Sequence, residues 1–218
     1  MEPLMPRLDG MSEVLTGTRG AETREKLVDT VLEMLKDRSP EDLRVEEVLE
    51  VSGISTGSLY HHFEDFGHLV ETALIRRYVE ILETAADLVD EVLDQMIAGD
   101  ELRFAAVGAI RKFAEFNTPE IRFERARILG MCETHPRMRS ALGKAQQEAT
   151  DRIVATLRAE QGGEGRINPD LDPRTVAVFI QSYSLGRIVD DIVPSPMDQQ
   201  AWLGLIEMVV SRVVLRSP

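Results

Sequence analysis

The chain has 218 residues, 43% of them hydrophobic, so it is long enough to bury one large or two small cores. Its formal charge of −13 argues against a protein that coats nucleic acid without selectivity, so any such contact must be local. The single cysteine excludes an internal disulfide framework, and the absence of a long apolar run or a secretion signal favours the cytoplasm, with no membrane partner.

The first part of the chain predicts an arm followed by a helix. Residues 1–20 mix Met, Pro, Gly, Ser and Thr without sustained periodicity, which is typical of a flexible arm. From Glu22 onward, apolar residues recur every three or four positions, which predicts a helix with one buried face. This helix is expected to end near Pro40, because proline disfavours helical geometry in the residue before it.

Two short helices and a tight turn are predicted next. Residues 43–51 carry a helical pattern of about two turns, and Gly53 follows it, because glycine can adopt the left-handed conformation that ends a helix. Ser55 is a good N-cap for a third helix that runs to about Phe63. A fourth helix is expected from Glu64 or Asp65. This order of elements is the helix-turn-helix arrangement.

The remainder of the chain also predicts helices, with no convincing strand or repeat. Thr118 is expected to cap a helix that has Pro119 at its first position, where the missing N–H is harmless. Asp172 and Pro173 open another apolar helix, and residues 197–215 supply the last one. The fold class is therefore all-α, with about nine to ten helices in all.

Residues 26–74, KLVDTVLEMLKDRSPEDLRVEEVLEVSGISTGSLYHHFEDFGHLVETAL, resemble the DNA-binding domain of TetR-type transcriptional regulators. The resemblance is most specific in GSLYHHF, which has the family's order of small, aliphatic, tyrosine, polar and aromatic residues. It implies a homodimer whose third helices enter the major groove of a double-stranded DNA operator. It also implies a variable helical domain that binds a small-molecule effector.

On this basis three segments are expected. Residues 1–20 form the flexible arm, residues 21–68 the three-helix helix-turn-helix DNA-binding domain, and residues 69–218 a larger helical domain for ligand binding and dimerisation.

Small and polar residues at the start of the third helix are candidates for DNA contact, because they let the backbone approach DNA and can hydrogen bond phosphates or base edges. Simple helix capping is the alternative for the serines and the threonine, and a half-buried core ring is the alternative for the tyrosine. Leu59 and Phe63 lie four residues apart and are expected to hold the helix in the core. With a backbone contact that the resemblance implies for Arg44, the predicted DNA-binding residues are Arg44, Ser55, Thr56, Gly57, Ser58, Tyr60, His61 and His62.

The charge of this region departs from that of most DNA-binding domains. Residues 1–77 contain nine basic and sixteen acidic residues, a net charge of −7, and the family's lysine after the third helix is absent. Residues 51–63 contain no acid. We therefore expect operator binding to depend only modestly on salt, because few phosphates are neutralised.

The histidines and the cysteine predict no metal site and no other cofactor. His61 and His62 point about 100° apart on a helix, and no carboxylate or thiolate completes a cage with His68. Cys132 and His135 have a spacing that indicates zinc only when a second pair exists. A free, buried thiol is the preferred interpretation, with redox sensing as the alternative.

The second domain offers candidates for a ligand pocket and for a dimer interface. Each apolar pocket candidate has plain core packing as its alternative, and each charged one has a solvated surface position. The pocket candidates are Phe104, Ile110, Phe113, Phe116, Phe123, Arg127, Met131, Phe179 and Tyr183. The last two apolar helices suggest an isologous interface of Val178, Ser182, Leu185, Gly186, Trp202, Leu205, Ile206 and Val209.

These features predict a ligand-responsive transcriptional regulator, a repressor, that binds a palindromic operator as a dimer and is released by a small molecule. No enzyme is predicted, because no catalytic grouping and no phosphate-binding glycine loop is visible. The alternative is a helical protein-interaction module with lost or weakened DNA binding, which the acidic charge favours.

Overall fold

The computed structural model describes residues 9–97, 110–159, 161 and 167–215. Over these residues it confirms the all-α class, since the single β-bridge, between Ile167 and Leu215, belongs to no strand. Within the same ranges, no helix combines the length and the apolar character that a bilayer crossing requires. The chain divides into two compact units, residues 1–77 and 78–218.

The first unit is built from helices joined by short turns. Helix α1 packs against α2 and α3, and a one-turn 3-10 helix precedes α2. The elements are α1 (Asp9–Met34), the 3-10 helix (Pro40–Asp42), α2 (Val45–Ser52), α3 (Thr56–His62) and α4 (Phe66–Ile97), whose residues from 78 onward belong to the second unit.

Two of these boundaries differ from the sequence pattern. Helix α1 begins at Asp9, so the backbone of residues 9–20 is helical, whereas this stretch is predicted as part of a flexible arm. No proline interrupts residues 7–39, and an isolated glycine inside a helix costs only about 1 kcal/mol. Helix α4 runs without a break past residue 68, where the boundary between the two larger domains is predicted.

The core of the first unit fixes the position of α3. Leu27 and Val31 of α1 and Leu59 of α3 are fully buried, and Phe63 is only 2% exposed. Burial of one such side chain stabilises the fold by roughly 1.5–3 kcal/mol. The guanidinium of Arg24 lies 5.2 Å from the centre of the Phe63 ring, which adds a cation–π contact to the same face.

The second unit contains the rest of α4 and the helices that follow it. Thr118, Asp172 and Asp198 cap α6, α8 and α10, because each side chain accepts a hydrogen bond from a backbone N–H three residues on. The elements are α5 (residues 110–116), α6 (Pro119–Met131), α7 (Pro136–Ala159), α8 (Pro173–Gly186), α9 (Ile188–Asp191), α10 (Gln199–Val209) and a π-helical turn (Val210–Val214).

An apolar cluster holds this second unit together. Phe113 of α5, Ile153 and Leu157 of α7 and Val176 of α8 are buried in it, and Val214 of the π-helical turn joins them. Because each helix contributes at least one fully or nearly fully buried side chain, the cluster fixes α5, α7 and α8 around the end of the chain.

Candidate nucleic-acid interface and ligand cavities

The turn between α2 and α3 depends on Gly53. Its φ of 65° and ψ of 20° are left-handed, and among the described residues no other has a positive φ. Its N–H donates to the Leu49 carbonyl at 2.9 Å and so closes α2. A residue with a Cβ is strained in this conformation, so the glycine allows the sharp change of direction between the two helices.

Ser55 caps α3, so it has the helix-capping role that is the alternative prediction to DNA contact. Its Oγ accepts a hydrogen bond from the Ser58 N–H at 3.2 Å and donates to the Ser58 Oγ at 3.1 Å. The two hydroxyls hold each other at the start of the helix, and the side chain of Thr56 beside them is exposed.

The two faces of α3 differ sharply in exposure. Leu59 is fully buried, whereas Tyr60 is 50% exposed and Thr56 and His61 are also exposed. His62 is half-buried, and its ring lies edge-on to His61 with 5.0 Å between the ring centres. The helix therefore presents hydroxyl, phenol and imidazole groups to solvent, with its apolar face fixed in the core.

Gly57 leaves the first turn of α3 open. A Cβ added at this glycine meets no atom within 4 Å. Its backbone is not left-handed, so neither packing nor conformation requires a glycine here. An external surface that approaches the backbone closely would give a reason for it.

Arg44 lies outside α3, at the N-cap position of α2. Its Nη1 donates to the carbonyls of Glu41 and Leu43, at 2.9 and 3.1 Å. The side chain is exposed, and the guanidinium N–H groups other than those of Nη1 take no part in these two bonds. The acidic start of α2, at Glu46 and Glu47, adjoins it, and Glu47 is paired with Arg38 at 2.7 Å.

Within the part of the chain that the structure describes, the histidines form no metal-binding cluster with carboxylates or thiols. The His68 Nδ1 accepts a hydrogen bond from the Glu64 N–H at 3.3 Å. Across the described stretches of chain, no three His, Cys, Asp or Glu side chains converge as metal ligands would. Burial raises the pKa of the Cys132 thiol, so a smaller fraction of it is thiolate at neutral pH.

Four of the predicted pocket residues line one apolar cavity in the second unit. Ile110, Phe113, Phe179 and Tyr183 surround a space of about 50 Å³, closed on other sides by residues of α4, α10 and the π-helical turn. Burial raises the pKa of Tyr183 to about 12, so its phenol is neutral at physiological pH. The space is larger than one water molecule but too small for a drug-sized ligand.

The other predicted pocket residues do not line this cavity. Phe123 is 44% exposed and Arg127 is also exposed, while Phe116 and Met131 are half-buried elsewhere. Phe104 lies outside the described residues.

Two buried arginines of α6 were missed in the sequence. Arg122 is 1% exposed, and its guanidinium forms a two-pronged ion pair with Asp191, with 2.5 Å between Nε and Oδ2. Arg125 is 5% exposed, and its Nη1 donates to the Ser184 Oγ at 3.2 Å. The spacing of Arg122, Arg125 and the buried Ile128 places all three on one helix face, a signal that identifies these two arginines rather than Arg127.

Arg125 lies at the wall of a second, more polar space. This groove has a volume of about 430 Å³ and is lined by residues of α4, α6, α7 and α8. Its polar wall includes Arg125, Gln146, Thr150 and Gln181, and its apolar wall includes Leu129, Val178 and Leu185. The volume falls in the range of sites for small organic molecules.

Of the eight predicted dimer-interface residues, four are exposed in the single chain, three are half-buried and one is buried. Val178, Ser182, Gly186 and Leu205 are exposed, and Leu185, Trp202 and Val209 are half-buried. Ile206 is 5% exposed and packs with Ile110 and Leu203 in the interior of the unit, so the isolated chain does not present it for dimer contact. Further exposed apolar side chains lie in and around α8 to α10: Val189, Ile192, Val193, Met208 and Val213.

The chain has relatives among transcriptional regulators. No protein-family model matches it. The HTH-type transcriptional repressor KstR2 of Mycolicibacterium smegmatis is 30% identical over 93 residues, which cover 39% of this chain and 45% of the relative. The match thus spans less than half the length of that curated relative.

Solved structures share the fold over nearly the whole chain. A TetR transcriptional regulator from Chloroflexus aurantiacus is 18% identical, with a TM-score of 0.56 over 92% of this chain and 100% of the other. A protein from Saccharomonospora viridis, named as a transcriptional regulator and crystallised with choline, is 15% identical, with a TM-score of 0.62 over 90% of this chain and 100% of the other. This chain has the fold of the TetR-family transcriptional regulators.

Proposed function

We propose that the chain is a TetR-family transcriptional repressor that binds a palindromic operator as a homodimer and is released by a small-molecule effector. The first unit would read DNA, and the second would bind the effector and form the dimer. Its relatives are transcriptional regulators rather than enzymes, which supports a regulatory role in the cytoplasm.

The exposed face of α3 is the observation that carries the DNA-binding part. Thr56, Tyr60 and His61 are exposed on a helix whose opposite face is fixed by Leu59 and Phe63. A short helix held in this way presents rigid hydrogen-bonding groups to a major groove, which is 12 Å wide and admits one helix. The residues from 51 to 63 carry no acid, so this face avoids the repulsion that the rest of the unit would exert on phosphates.

The exposed apolar side chains of the second unit support the dimer. Val178 and Val189 of the α8–α9 region and Leu205 and Met208 of α10 are between 46% and 71% exposed. Exposed apolar side chains mark a protein interface where they form one contiguous patch. A two-fold dimer would bury them and give the spacing of two α3 helices that a palindromic operator requires.

The effector part is supported by the groove of about 430 Å³ in the second unit. An effector that prefers a dimer state in which the two α3 helices are spaced incorrectly for the operator would lower the affinity for DNA. By reciprocity, bound DNA would lower the affinity for the effector by the same factor. The Saccharomonospora viridis structure holds choline, which supports small-molecule binding by this fold in general.

Binding to DNA upstream of its own coding region tests the proposal. The purified protein should shift this fragment in a gel, and Thr56→Ala and Tyr60→Ala should each weaken the complex by about tenfold or more, corresponding to about 1.4 kcal/mol. Tyr60→Phe is the matched control, because it keeps the ring and removes only the hydroxyl. Unchanged binding by both alanine variants would show that α3 does not read DNA.

The same experiment tests the alternative function that the acidic charge of the first unit favours. If no DNA binds even at low salt, a helical protein-interaction module becomes the better account, because a net charge of −7 over residues 1–77 disfavours DNA.

A further inference from the structure

Arg125 is a buried cation with no anionic partner among the described residues. Its hydrogen-bond partners are two hydroxyls: Ser184 Oγ, 3.2 Å from Nη1, and the phenol of Tyr78. The nearby Arg122, in contrast, is paired with the carboxylate of Asp191. A buried charge without a counter-charge is costly, so its retention calls for an explanation beyond the fold of the single chain.

The hydroxyls beside Arg125 do not depend on it. The Tyr78 phenol donates to Gln146 Oε1 at 2.9 Å, and the Ser184 hydroxyl donates to the Gln181 carbonyl at 2.8 Å. Loss of the guanidinium would therefore leave both hydroxyls with a hydrogen-bond partner. Arg125 is not needed to satisfy the polar groups around it.

The groove of about 430 Å³ gives the guanidinium access to a ligand. Gln146 Nε2 donates to Gln181 Oε1 at 2.8 Å, and Gln181 Nε2 donates to Thr150 Oγ1 at 3.2 Å, so the polar wall beside Arg125 is a pre-arranged network. These neighbouring groups are neutral. Arg174 also lines the groove, but it is exposed and pairs with Asp151 at 3.4 Å.

We propose that this groove binds a small organic carboxylate whose negative charge pairs with the guanidinium of Arg125. One buried cation among neutral groups matches a monoanion better than a phosphate dianion, and the planar fork of arginine matches a carboxylate in shape. Leu129, Val178 and Leu185 would contact the apolar body of the ligand. Treating the carboxylate as the effector rests on the proposed function. Binding of the carboxylate to the groove can be tested without DNA.

Thermal unfolding of the ligand-free protein gives the first test. Arg125→Met removes the unpaired charge and leaves no orphaned hydroxyl, so its melting temperature should equal or exceed that of the wild type. Arg122→Met leaves Asp191 buried without its partner and should lower the melting temperature by several degrees. If Arg125→Met were as damaging as Arg122→Met, Arg125 would be a structural residue and the proposal would be overturned.

Thermal shift with octanoate and benzoate, against octanamide and benzamide at equal ionic strength, gives the second test. The carboxylates should raise the melting temperature of the wild type more than the amides do. This difference should disappear in Arg125→Met and persist in Arg139→Gln, which removes an exposed arginine of α7. Equal responses to carboxylates and amides in the wild type would contradict the proposal.

The mass of the variants in solution identifies the other possible occupant. Val178, Ser182 and Leu185 line the groove and are also predicted at the dimer interface, so an acidic side chain of a second copy could approach Arg125. Light scattering should give the same mass for Arg125→Met and the wild type. A change from dimer to monomer would assign the groove to the partner subunit and overturn the ligand proposal.

DNA binding separates failure of this site from failure of the proposed function. If the carboxylates bind through Arg125 but leave operator affinity unchanged, the effector mechanism fails and the site remains. If operator binding is normal and none of the Arg125 tests succeeds, the site alone is wrong.

Discussion

Gly53 and Gly57 lie four residues apart, and replacing each with alanine should have opposite effects on stability. Neither added Cβ would meet an atom within 4 Å, so steric contact is equal in the two variants. Only Gly53 is left-handed, with φ of 65°. A Cβ in that conformation costs about 1–2 kcal/mol, of which the stiffer unfolded chain recovers about 0.4–1 kcal/mol.

Gly53→Ala should therefore lower stability by roughly 0.5–1.5 kcal/mol, while Gly57→Ala should be neutral or stabilising by up to about 1 kcal/mol, because alanine favours the helix. For a chain of this length, 1 kcal/mol shifts the melting temperature by about 2–4 °C. Differential scanning calorimetry should thus show a decrease of about 1–6 °C for Gly53→Ala and no decrease for Gly57→Ala. A stable Gly53→Ala, or equal losses in both variants, would refute the assigned conformations.

Operator binding by the same pair tests the function of α3. If the backbone at Gly57 lies against DNA, Gly57→Ala should weaken binding by about tenfold, or about 1.4 kcal/mol, despite its intact stability. Fluorescence anisotropy with the upstream fragment measures this change. Undiminished affinity would show that DNA does not approach the first turn of α3 closely.

Three other predictions concern the second unit. Asp191→Asn should lower stability at pH 7 by about 3 kcal/mol or more, and denaturant unfolding should show this deficit shrinking below about pH 4. The reason is that Arg122 lowers the pKa of Asp191, so the contribution of this carboxylate to stability is complete above its pKa in the unfolded chain and is lost as the pH falls through its pKa in the folded protein. The exposed control Asp151→Asn should change stability by less than about 1 kcal/mol. A stability deficit of Asp191→Asn that stays constant down to about pH 2 would contradict this origin. Leu205→Glu should convert the proposed dimer to a monomer in light scattering, whereas Gln200→Glu, also exposed on α10, should leave the mass unchanged. A dimeric Leu205→Glu would place the interface elsewhere. Cys132 should react with iodoacetamide at pH 7.5 more slowly than free cysteine, because burial raises the pKa of its thiol. Faster labelling would favour the alternative interpretation, in which Cys132 senses redox state.

The sequence was sufficient for the local features that depend on one or two residues. Thr118 with Pro119 and Asp172 with Pro173 open helices as predicted, because capping and the fixed φ of proline act locally. Gly53 ends α2 for a similarly local reason. The burial of Leu59 and Phe63 also follows directly from their four-residue spacing.

The positions of long polar side chains were less predictable. Arg122, Arg125 and Arg127 share one short stretch, and only Arg127 was selected in the sequence, although it is the exposed one. The spacing of Arg122, Arg125 and Ile128 indicates a shared helix face. The ion-pair partner of Arg122, however, is Asp191, 69 residues away, and no local pattern identifies that partner. Ile206 was assigned to an interface for a related reason, since a broadly apolar helix does not show which side packs within its own chain.

Selection of genomic DNA by the purified protein tests whether α3 reads an operator. Fragments retained by the wild type are sequenced and compared with those retained by Thr56→Ala and Tyr60→Ala at the same salt concentration. If α3 reads an operator, the wild type should enrich one palindromic sequence, and both variants should lose this enrichment. The absence of any enriched sequence, or enrichment of the same sequence by both variants, would contradict operator reading by α3.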